Sequence, residues 1–420
     1  MEDTKKQLET IKRGAVEIIS EHALVEKLKK GKPLIIKAGF DPTAPDIHLG
    51  HTVLLRKLRH FQDLGHKVIF LIGDATALVG DPSGQSSTRK TMTWDEVDKN
   101  AITYEKQVSK ILNTEDSKMF ERRHNSEWFS RHGHTEKEFP PFTFEQFVEL
   151  AQRYTVARLL ERDDFQKRLK ENKPISFLEL FYPLMQGYDS VRIAKLFGSC
   201  DVEIGGTDQK FNMLVGRDLQ QSYVQEPQVV ITMPLLVGTD GAAKMSKSYG
   251  NHIGINEPAS EIYGKTMSIP DDVMSLYYEL LTDVPLDEIE AMKKGIKDGT
   301  VHPKEAKSRL GMMLVEMYHS KEEAVKSRDN FERLFKEKKI PNEIQDLPYP
   351  ESKLKDGKIW LPEALKTGAL AGTNSEAIRL IKQGGVKIDG KKVTVTEVDA
   401  VDGMIIQVGK RNFVKFRIKK

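Results

Sequence analysis

Leu34-Ile35-Ile36-Lys37-Ala38-Gly39-Phe40-Asp41-Pro42-Thr43-Ala44-Pro45-Asp46-Ile47-His48-Leu49-Gly50-His51 decides how this chain folds. Leu34-Ile35-Ile36 opens a short apolar run of the kind buried in a parallel sheet. Asp41-Pro42 and Ala44-Pro45 turn it into a loop. A helix is then predicted from near His51, with Leu54, Leu55, Leu58 and Phe61 at helical spacing and Gly65 just past its end. Residues 68–72 supply the next buried strand. Strand, helix and strand within about 40 residues make a βαβ unit with a right-handed crossover. The first half is therefore α/β on a parallel sheet, and ligands are expected beyond the carboxyl ends of its strands. Those ends are the loops 40–50 and 73–89.

Outward from this unit, residues 8–30 read as one charged amphipathic helix ending at Gly31. Residues 120–175, with Pro140-Pro141, read as an insertion of helices and loops, and 176–220 return to α/β character. A strand at 229–233 precedes a loop running to Asn251. Residues 257–335 are helical, one helix opening on the capping box Ser320-Lys321-Glu322-Glu323. Pro341, Pro348 and Pro350 mark a linker. Beyond it a short helix, 377–382, is capped by Asn374 or Ser375 and stopped by Gly384-Gly385. Asp389-Gly390 is a hairpin turn between 386–388 and 393–395, and strands follow at 404–408 and 413–418. In the last strand Val414, Phe416 and Ile418 alternate with Lys415, Arg417 and Lys419, a core face backed by cations. The expected domains are 1–254 (carrying the insertion), 255–340 and 353–420.

Composition narrows the function. Of 420 residues, 39% are hydrophobic, which excludes wholesale disorder. Lys and Arg number 65 against 62 Asp and Glu, a net charge of +3. Residues 353–420 hold 15 basic and 7 acidic side chains, so this tail carries +8 and the rest −5. A basic module on a mildly acidic body points to contact with a polyanion. Cys200 is the single cysteine, which excludes a disulfide framework and a thiolate metal site. The charged N-terminus has no apolar core of a secretory signal, and no run of about 18 apolar residues exists to span a membrane. A cytoplasmic protein with no membrane association is expected.

Two constellations carry chemistry. His48-Leu49-Gly50-His51 sits where loop becomes helix; residues three apart share one face, and a helix N-terminus attracts phosphate. Gly50 leaves room for close backbone approach. Lys244-Met245-Ser246-Lys247-Ser248 pairs two lysines with two hydroxyls, between Gly241 and Gly250, in the manner of a mobile polyphosphate clamp. A zinc reading of the histidine pair has no third ligand in view. A phosphate-loop reading of residues 80–86 fails on spacing, with Gln85 where a lysine is required. His124, His132 and His134 have no acidic or thiol partners at metal-ligand spacing, so no metal site is expected.

Together the two motifs, on one α/β domain, resemble the class I aminoacyl-tRNA synthetases. Gly39-Phe40-Asp41-Pro42-Thr43-Ala44, Gly80-Asp81-Pro82-Ser83-Gly84, Tyr182-x-x-x-Gln186-x-x-Asp189 and Gly205-Gly206-Thr207-Asp208-Gln209 are similar to the bacterial tyrosyl-tRNA synthetases within that family. Residues 375–384 resemble the small RNA-binding domain that ends them. The resemblance implies a Rossmann-like catalytic domain, a helical domain and a small α+β RNA-binding domain. It implies that Asp189 accepts the tyrosine hydroxyl, that Tyr182, Gln186 and Asp81 surround the ammonium, and that Asp41 lies near ammonium and ribose. Asp208 and Gln209 would face the ribose and the carboxylate, and Gly205 and Gly206 the adenosine; Gly50, Ser246 and Ser248 complete the ATP site. His48, His51, Lys244 and Lys247 would stabilise the departing pyrophosphate, with Arg89 a further contact. Arg379, Lys382, Lys387, Lys391 and Lys392 would hold RNA. The implied partners are tyrosine, ATP with Mg²⁺ as substrate, tRNA(Tyr) and a second copy of the chain through the insertion, with no tightly bound cofactor.

Two departures stand out. Lys37 lies four before Asp41, where many members carry a tyrosine that touches the substrate hydroxyl, and Lys210-Phe211 replaces a Trp-Gly pair. Two other classes remain open: another adenylylating nucleotidyltransferase, and a non-catalytic RNA-binding protein on a synthetase scaffold.

Overall fold

The computed structural model describes residues 3–83, 92–129, 142–336, 344–409 and 412–419. Arg89, His132, His134, Pro140, Pro141 and Pro341 lie outside them. The chain forms two compact units, 1–324 and 325–420.

The first unit is built on six strands: β1 (Glu17–Ile19), β2 (Ile35–Phe40), β3 (Lys67–Ile72), β4 (Phe120–His124), β5 (Val202–Gly206) and β6 (Val229–Met233). Among the described residues they form one sheet of order β1-β6-β5-β2-β3-β4. All neighbours are parallel except β1, which runs antiparallel to β6. Helix Leu49–Asp63 makes the crossover from β2 to β3, and Gly65 follows it at φ +89°. Sequence order runs outward from β2 to β3 and β4 on one side, and from β5 to β6 on the other. The gap between β2 and β5 is thus the switch point where ligands bind an open α/β sheet. It places Asp41, just after β2, and Asp208, two residues past β5, at the same end of the sheet.

Two expectations are corrected here. The single helix over 8–30 is two, Thr4–Lys12 and Glu21–Lys29. Gly14 at φ +65° turns the chain, and Glu17–Ile19 pairs with β6 instead of continuing a helix. Ser20 then caps the second helix through Ala23 N–H at 3.1 Å. The stretch from 120 opens with a strand, not a helix or loop: β4 edges the sheet, and Glu121 pairs with Lys67 of β3 at 3.0 Å. The return to α/β character over 176–220 is as read: helix Phe177–Phe197, capped by Ser176 with Glu179, leads into β5. So is the helical run Ala259–Ser268, Met274–Leu281, Leu286–Asp298, Pro303–Tyr318 and Lys321–Lys336; Ser320 Oγ accepts from Glu323 N–H at 3.2 Å.

The second unit holds β7 (Gln345–Pro350), β8 (Lys358–Trp360), β9 (Val386–Ile388), β10 (Lys391–Val393), β11 (Glu397–Asp399), β12 (Ile405–Val408) and β13 (Asn412–Lys419). The five-stranded sheet is ordered β10-β9-β12-β13-β7, and β8 pairs with β11. Helices Leu361–Thr367 and Asn374–Lys382 help bury Leu347, Leu365, Ile381, Ile406 and Phe416. Two readings change. Pro348 and Pro350 belong to β7, not a linker: β7 pairs with β13 alone, and an edge strand tolerates residues that lack an N–H. The cap of the second helix is Thr373, whose Oγ accepts from Glu376 N–H at 3.1 Å, rather than Asn374 or Ser375. Asp389 and Gly390 turn the hairpin at φ +47° and +81°, as expected of that pair.

Candidate active site

His48 caps helix Leu49–Asp63 with its own ring. Nδ1 accepts Gly50 N–H at 3.1 Å, and the His51 Nδ1 accepts His48 N–H at 3.3 Å. The rings lie 3.9 Å apart, centre to centre. Because each Nδ1 accepts a backbone N–H, the neutral rings carry their proton on Nε2. They are neutral: burial, then the charge on His51, pushes His48 down to about 2. Burial and then Lys247 push His51 to about 4. The helix therefore begins with two uncharged N–H donors rather than two cations. A Cβ on Gly50 would stand 2.9 Å from His48 Cε1, so this glycine makes room for the capping ring.

The lysine loop packs on that helix start; Met245 Cβ is 3.6 Å from the same point. Met245 is buried and donates its N–H to the Leu236 carbonyl at 2.7 Å. Asn251 pins the loop, accepting Ser246 N–H at 2.8 Å and donating to Asp240 at 2.8 Å. Ser246 Oγ accepts Ser248 N–H at 3.3 Å. Lys247 Nζ lies 3.3 Å from Asp46, and Lys244 Nζ lies 3.5 Å from Asp208. The two distant motifs thus converge, and both lysines rest on carboxylates.

At the switch point a polar pocket is fully wired. Tyr182 O–H donates to Asp41 Oδ2 at 2.8 Å, and Thr76 Oγ1 to Asp41 Oδ1 at 2.8 Å. Gln209 Nε2 donates to Asp81 Oδ2 at 2.7 Å; Asp81 Oδ1 accepts from Ser83 N–H and Oγ–H at 2.9 and 2.7 Å. Asn212 Nδ2 bridges Gln186 Oε1 and Gln209 Oε1 at 2.9 and 3.2 Å. Deeper, Asp189 accepts from Trp128 Nε1–H at 2.9 Å and Asn125 Nδ2–H at 3.4 Å. Burial raises its carboxyl to about 7, against the pull of Lys37 and of those two donors. Burial likewise raises Asp208, with Lys244 opposing. A Cβ on Gly206 would lie 2.5 Å from Asp208 Oδ1, and one on Gly205 would lie 2.9 Å from the Met213 sulfur. A side chain at either position would have to displace the end of Asp208 or Met213.

A profile of the class I tRNA synthetases for tryptophan and tyrosine matches residues 29–336. The chain belongs to this family. Among relatives of this synthetase, the tyrosine–tRNA ligase of Moorella thermoacetica is 50% identical over 420 residues, spanning 99% of this chain and 96% of its own. That of Geobacter sulfurreducens is 51% identical over 415 residues, spanning 97% and 98%. Two solved structures share the fold. A C-terminally truncated mitochondrial tyrosyl-tRNA synthetase of Aspergillus nidulans aligns with TM-score 0.61 and 24% identity, over 80% of this chain and 95% of that one. The tyrosyl-tRNA synthetase of Archaeoglobus fulgidus, complexed with L-tyrosine, aligns with TM-score 0.61 and 23% identity, over 78% and 100%.

Several site residues of this synthetase escaped sequence reading. Trp128, Asn125 and Thr76 hold the two key carboxylates, and Arg162 reaches from the insertion to Ser83 and to Asn212 at 3.2 Å. No local spacing marks them; only the fold brings them in. Lys37 makes no such approach to the pocket opening and is fully buried. His124 is a structural partner of Asp74, at 3.1 Å. Among the described residues no three His, Cys, Asp or Glu side chains are grouped to hold an ion. In the basic unit Arg379, Lys382, Lys391 and Lys392 are exposed and Lys387 is half-buried. Lys387 and Lys392 face each other across the hairpin, a like-charge pairing that costs stability unless an anion bridges it. The cationic row on β13 is partly spent: Arg417 pairs with Asp346 and Asp402 at 3.1 and 3.2 Å.

Proposed function

We propose that this chain is a tyrosine–tRNA ligase that activates tyrosine with ATP and then charges tRNA(Tyr). The observation that carries the reading is Asp189, a buried carboxylate on the helix face that also bears Tyr182 and Gln186, held by two donors yet short of full compensation. A phenol hydroxyl completes such a site, whereas phenylalanine leaves the buried acceptor one donor short. Sites of this kind reject the analogue lacking the hydroxyl by about 10⁴–10⁵, tyrosyl-tRNA synthetases against phenylalanine being the known example.

In this reading Asp81, Tyr182, Gln186 and Asp41 take the ammonium end of tyrosine. Asp208, Gln209 and the Gly205-Gly206 strand end take the nucleoside and the reacting carboxylate. That carboxylate attacks the α-phosphorus in line, and pyrophosphate leaves. Positioning and charge stabilisation do the work, without a covalent nucleophile. The Nε2–H groups of His48 and His51 and the ammonium groups of Lys244 and Lys247 face the departing pyrophosphate, with Gly50, Ser246 and Ser248 shaping their loops. The terminal ribose hydroxyl of the tRNA then takes the tyrosyl group and AMP leaves. Mg²⁺ is proposed to enter with the ATP phosphates, as part of the substrate.

Arg379, Lys382, Lys387, Lys391 and Lys392 are proposed to hold the tRNA backbone. A second copy is proposed to cover the exposed apolar side chains of the insertion and the helix beside it, where Phe144 is 74% and Phe177 is 67% exposed. A cytoplasmic location follows from the substrates; no helix of the described residues is long and apolar enough to cross a membrane. Amino-acid-dependent ATP–pyrophosphate exchange tests the reading. Exchange with tyrosine alone is the expected result; exchange with tryptophan and not tyrosine, or with neither, overturns it.

A further inference from the structure

Lys37 on β2 and Glu203 on β5 are registered partners on the two parallel strands that flank the switch point. Both side chains are shut off from water. Lys37 Nζ lies 3.0 Å from Glu203 Oε1 and donates to Ser190 Oγ at 2.9 Å and to the Gln186 carbonyl at 3.0 Å. An ammonium has three donors, and all three are committed, so none is left for a substrate hydroxyl. Glu203 also accepts from Gln186 Nε2 at 3.3 Å, Ser190 Oγ at 3.1 Å and Gln228 Nε2. The residues so held, Gln186 and Ser190, bracket Asp189 on one helix. A buried ion pair contributes little net stability, because desolvation cancels most of the attraction. Its placement behind a substrate carboxylate has a better explanation in recognition.

We propose that Lys37 is a positioning residue for tyrosine recognition: with Glu203 it clamps the helix turn bearing Gln186 and Asp189, and its buried charge keeps Asp189 an ionised acceptor for the phenol hydroxyl. This rests on the reading of Asp189 given above. The charged and titratable groups facing Asp189 are Lys37 from β2, Glu203 from β5 and Tyr182 from its own helix, with Trp128 and Asn125 as neutral donors. Burial raises Asp189; Lys37 is the strongest influence in the other direction, and Glu203 works against it. Burial also penalises the Lys37 ammonium, but Glu203 and then Asp189 hold it above its ordinary value. The ionised form matters because a carboxylate only accepts, which is the polarity a phenol donor needs.

Tyrosine-dependent exchange measured across pH on full-length Lys37→Met, Lys37→Met/Glu203→Gln and Asp189→Asn tests this. Lys37→Met is expected to move the acid limb of kcat/KM for tyrosine up by about one pH unit, as loss of one opposite charge does. It raises KM for tyrosine about fivefold near neutrality and leaves KM for ATP unchanged. The double variant, with neither charge buried, places its limb between the wild type and Lys37→Met, and carries the test if the single variant fails to fold. An unmoved limb in the folded variants overturns the proposal, as does a loss shared equally by tyrosine and ATP. Asp189→Asn separates the two levels. If it keeps the preference for tyrosine over phenylalanine, the reading of Asp189 falls and this proposal with it. If it loses the preference while the Lys37 variants keep a wild-type limb, only the role of Lys37 falls.

Discussion

Replacing Lys247 with methionine keeps the length of the side chain and deletes one cation from the phosphate end of the site. In the ligand-free protein this lysine sits 3.3 Å from Asp46, a carboxylate 53% exposed. A pair that open to water is worth about 0.2–1 kcal/mol, so the substitution should leave stability nearly unchanged. The same figure limits the ground-state penalty for pulling Lys247 onto ATP to about fivefold in binding. The transition state is different. Its charge builds where Lys247 already acts on both imidazoles, in a region dry enough to keep those rings neutral. One preorganised donor at such a position is worth about 2.7–4 kcal/mol, or 10²–10³ in rate. Lys247→Met is therefore expected to lower the rate of tyrosyl-adenylate formation by about 10²–10³ and to change KM for ATP by less than about fivefold. Rapid-quench measurement of adenylate formation, alongside equilibrium ATP binding, reads both. A rise in KM with the rate intact would mean that Lys247 binds substrate and transition state alike, and the clamp reading would be wrong.

Because burial keeps His48 and His51 far below neutrality, exchange at saturating tyrosine, where the Asp189 limb is not read, should show no titration between about pH 5.5 and 8.5. His48→Asn, which retains an N-cap acceptor and an N–H donor, should keep more activity than His48→Ala. Asp74 lies below its usual value because, although burial opposes ionisation, bonds from His124 and Ser126 outweigh it. A depressed carboxyl gives stability that is present above its unfolded pKa of about 4 and lost as pH falls through the folded value. Asp74→Asn should thus cost about 1.5–3 kcal/mol in urea unfolding at pH 7, a gap that narrows steadily as pH falls below about 4. Removing residues 344–420, so that β7 leaves with its sheet, should spare exchange and impair tRNA charging; equal loss of both would contradict the division of labour.

What could be read from the chain alone was what is local. The βαβ unit over 34–72 shows itself in contiguous apolar runs and helical spacing, and the hairpin at Asp389-Gly390 in two residues that accept positive φ. Helical spacing places the start of helix Leu49–Asp63 near His51; that His48 fills the N-cap depends on Gly50 making room, which no spacing shows. Strands β1 and β7 escaped for another reason. Glu17–Ile19 sits in a charged run and Gln345–Pro350 contains two prolines, and each becomes a strand only because a distant neighbour offers an edge. The candidate site divides the same way. Tyr182, Gln186 and Asp189 share a helix face, but their partners Asp41, Asn212 and Trp128 come from elements far along the chain.

On the proposed function, the distribution of charge gives a reason for two of the phosphate-facing groups to be histidines. Four fixed cations would hold ATP and released pyrophosphate as firmly as the transition state, and binding energy spent uniformly does not raise the rate. Here the rigid part of the site, the helix start, offers only neutral N–H donors, and their neutrality is enforced by burial and by Lys247 itself. The cations belong to a separate loop, anchored by Asn251 and resting on Asp46 and Asp208. Positive charge therefore reaches the phosphates only by exchange of a carboxylate for a phosphate oxygen. The exchange is nearly balanced for ATP and becomes favourable as charge accumulates on the leaving pyrophosphate. At the other end, in the proposed reading, Asp41, Asp81 and Asp189 would face tyrosine with carboxylates, so the two ends of the site would present opposite charge to the substrate.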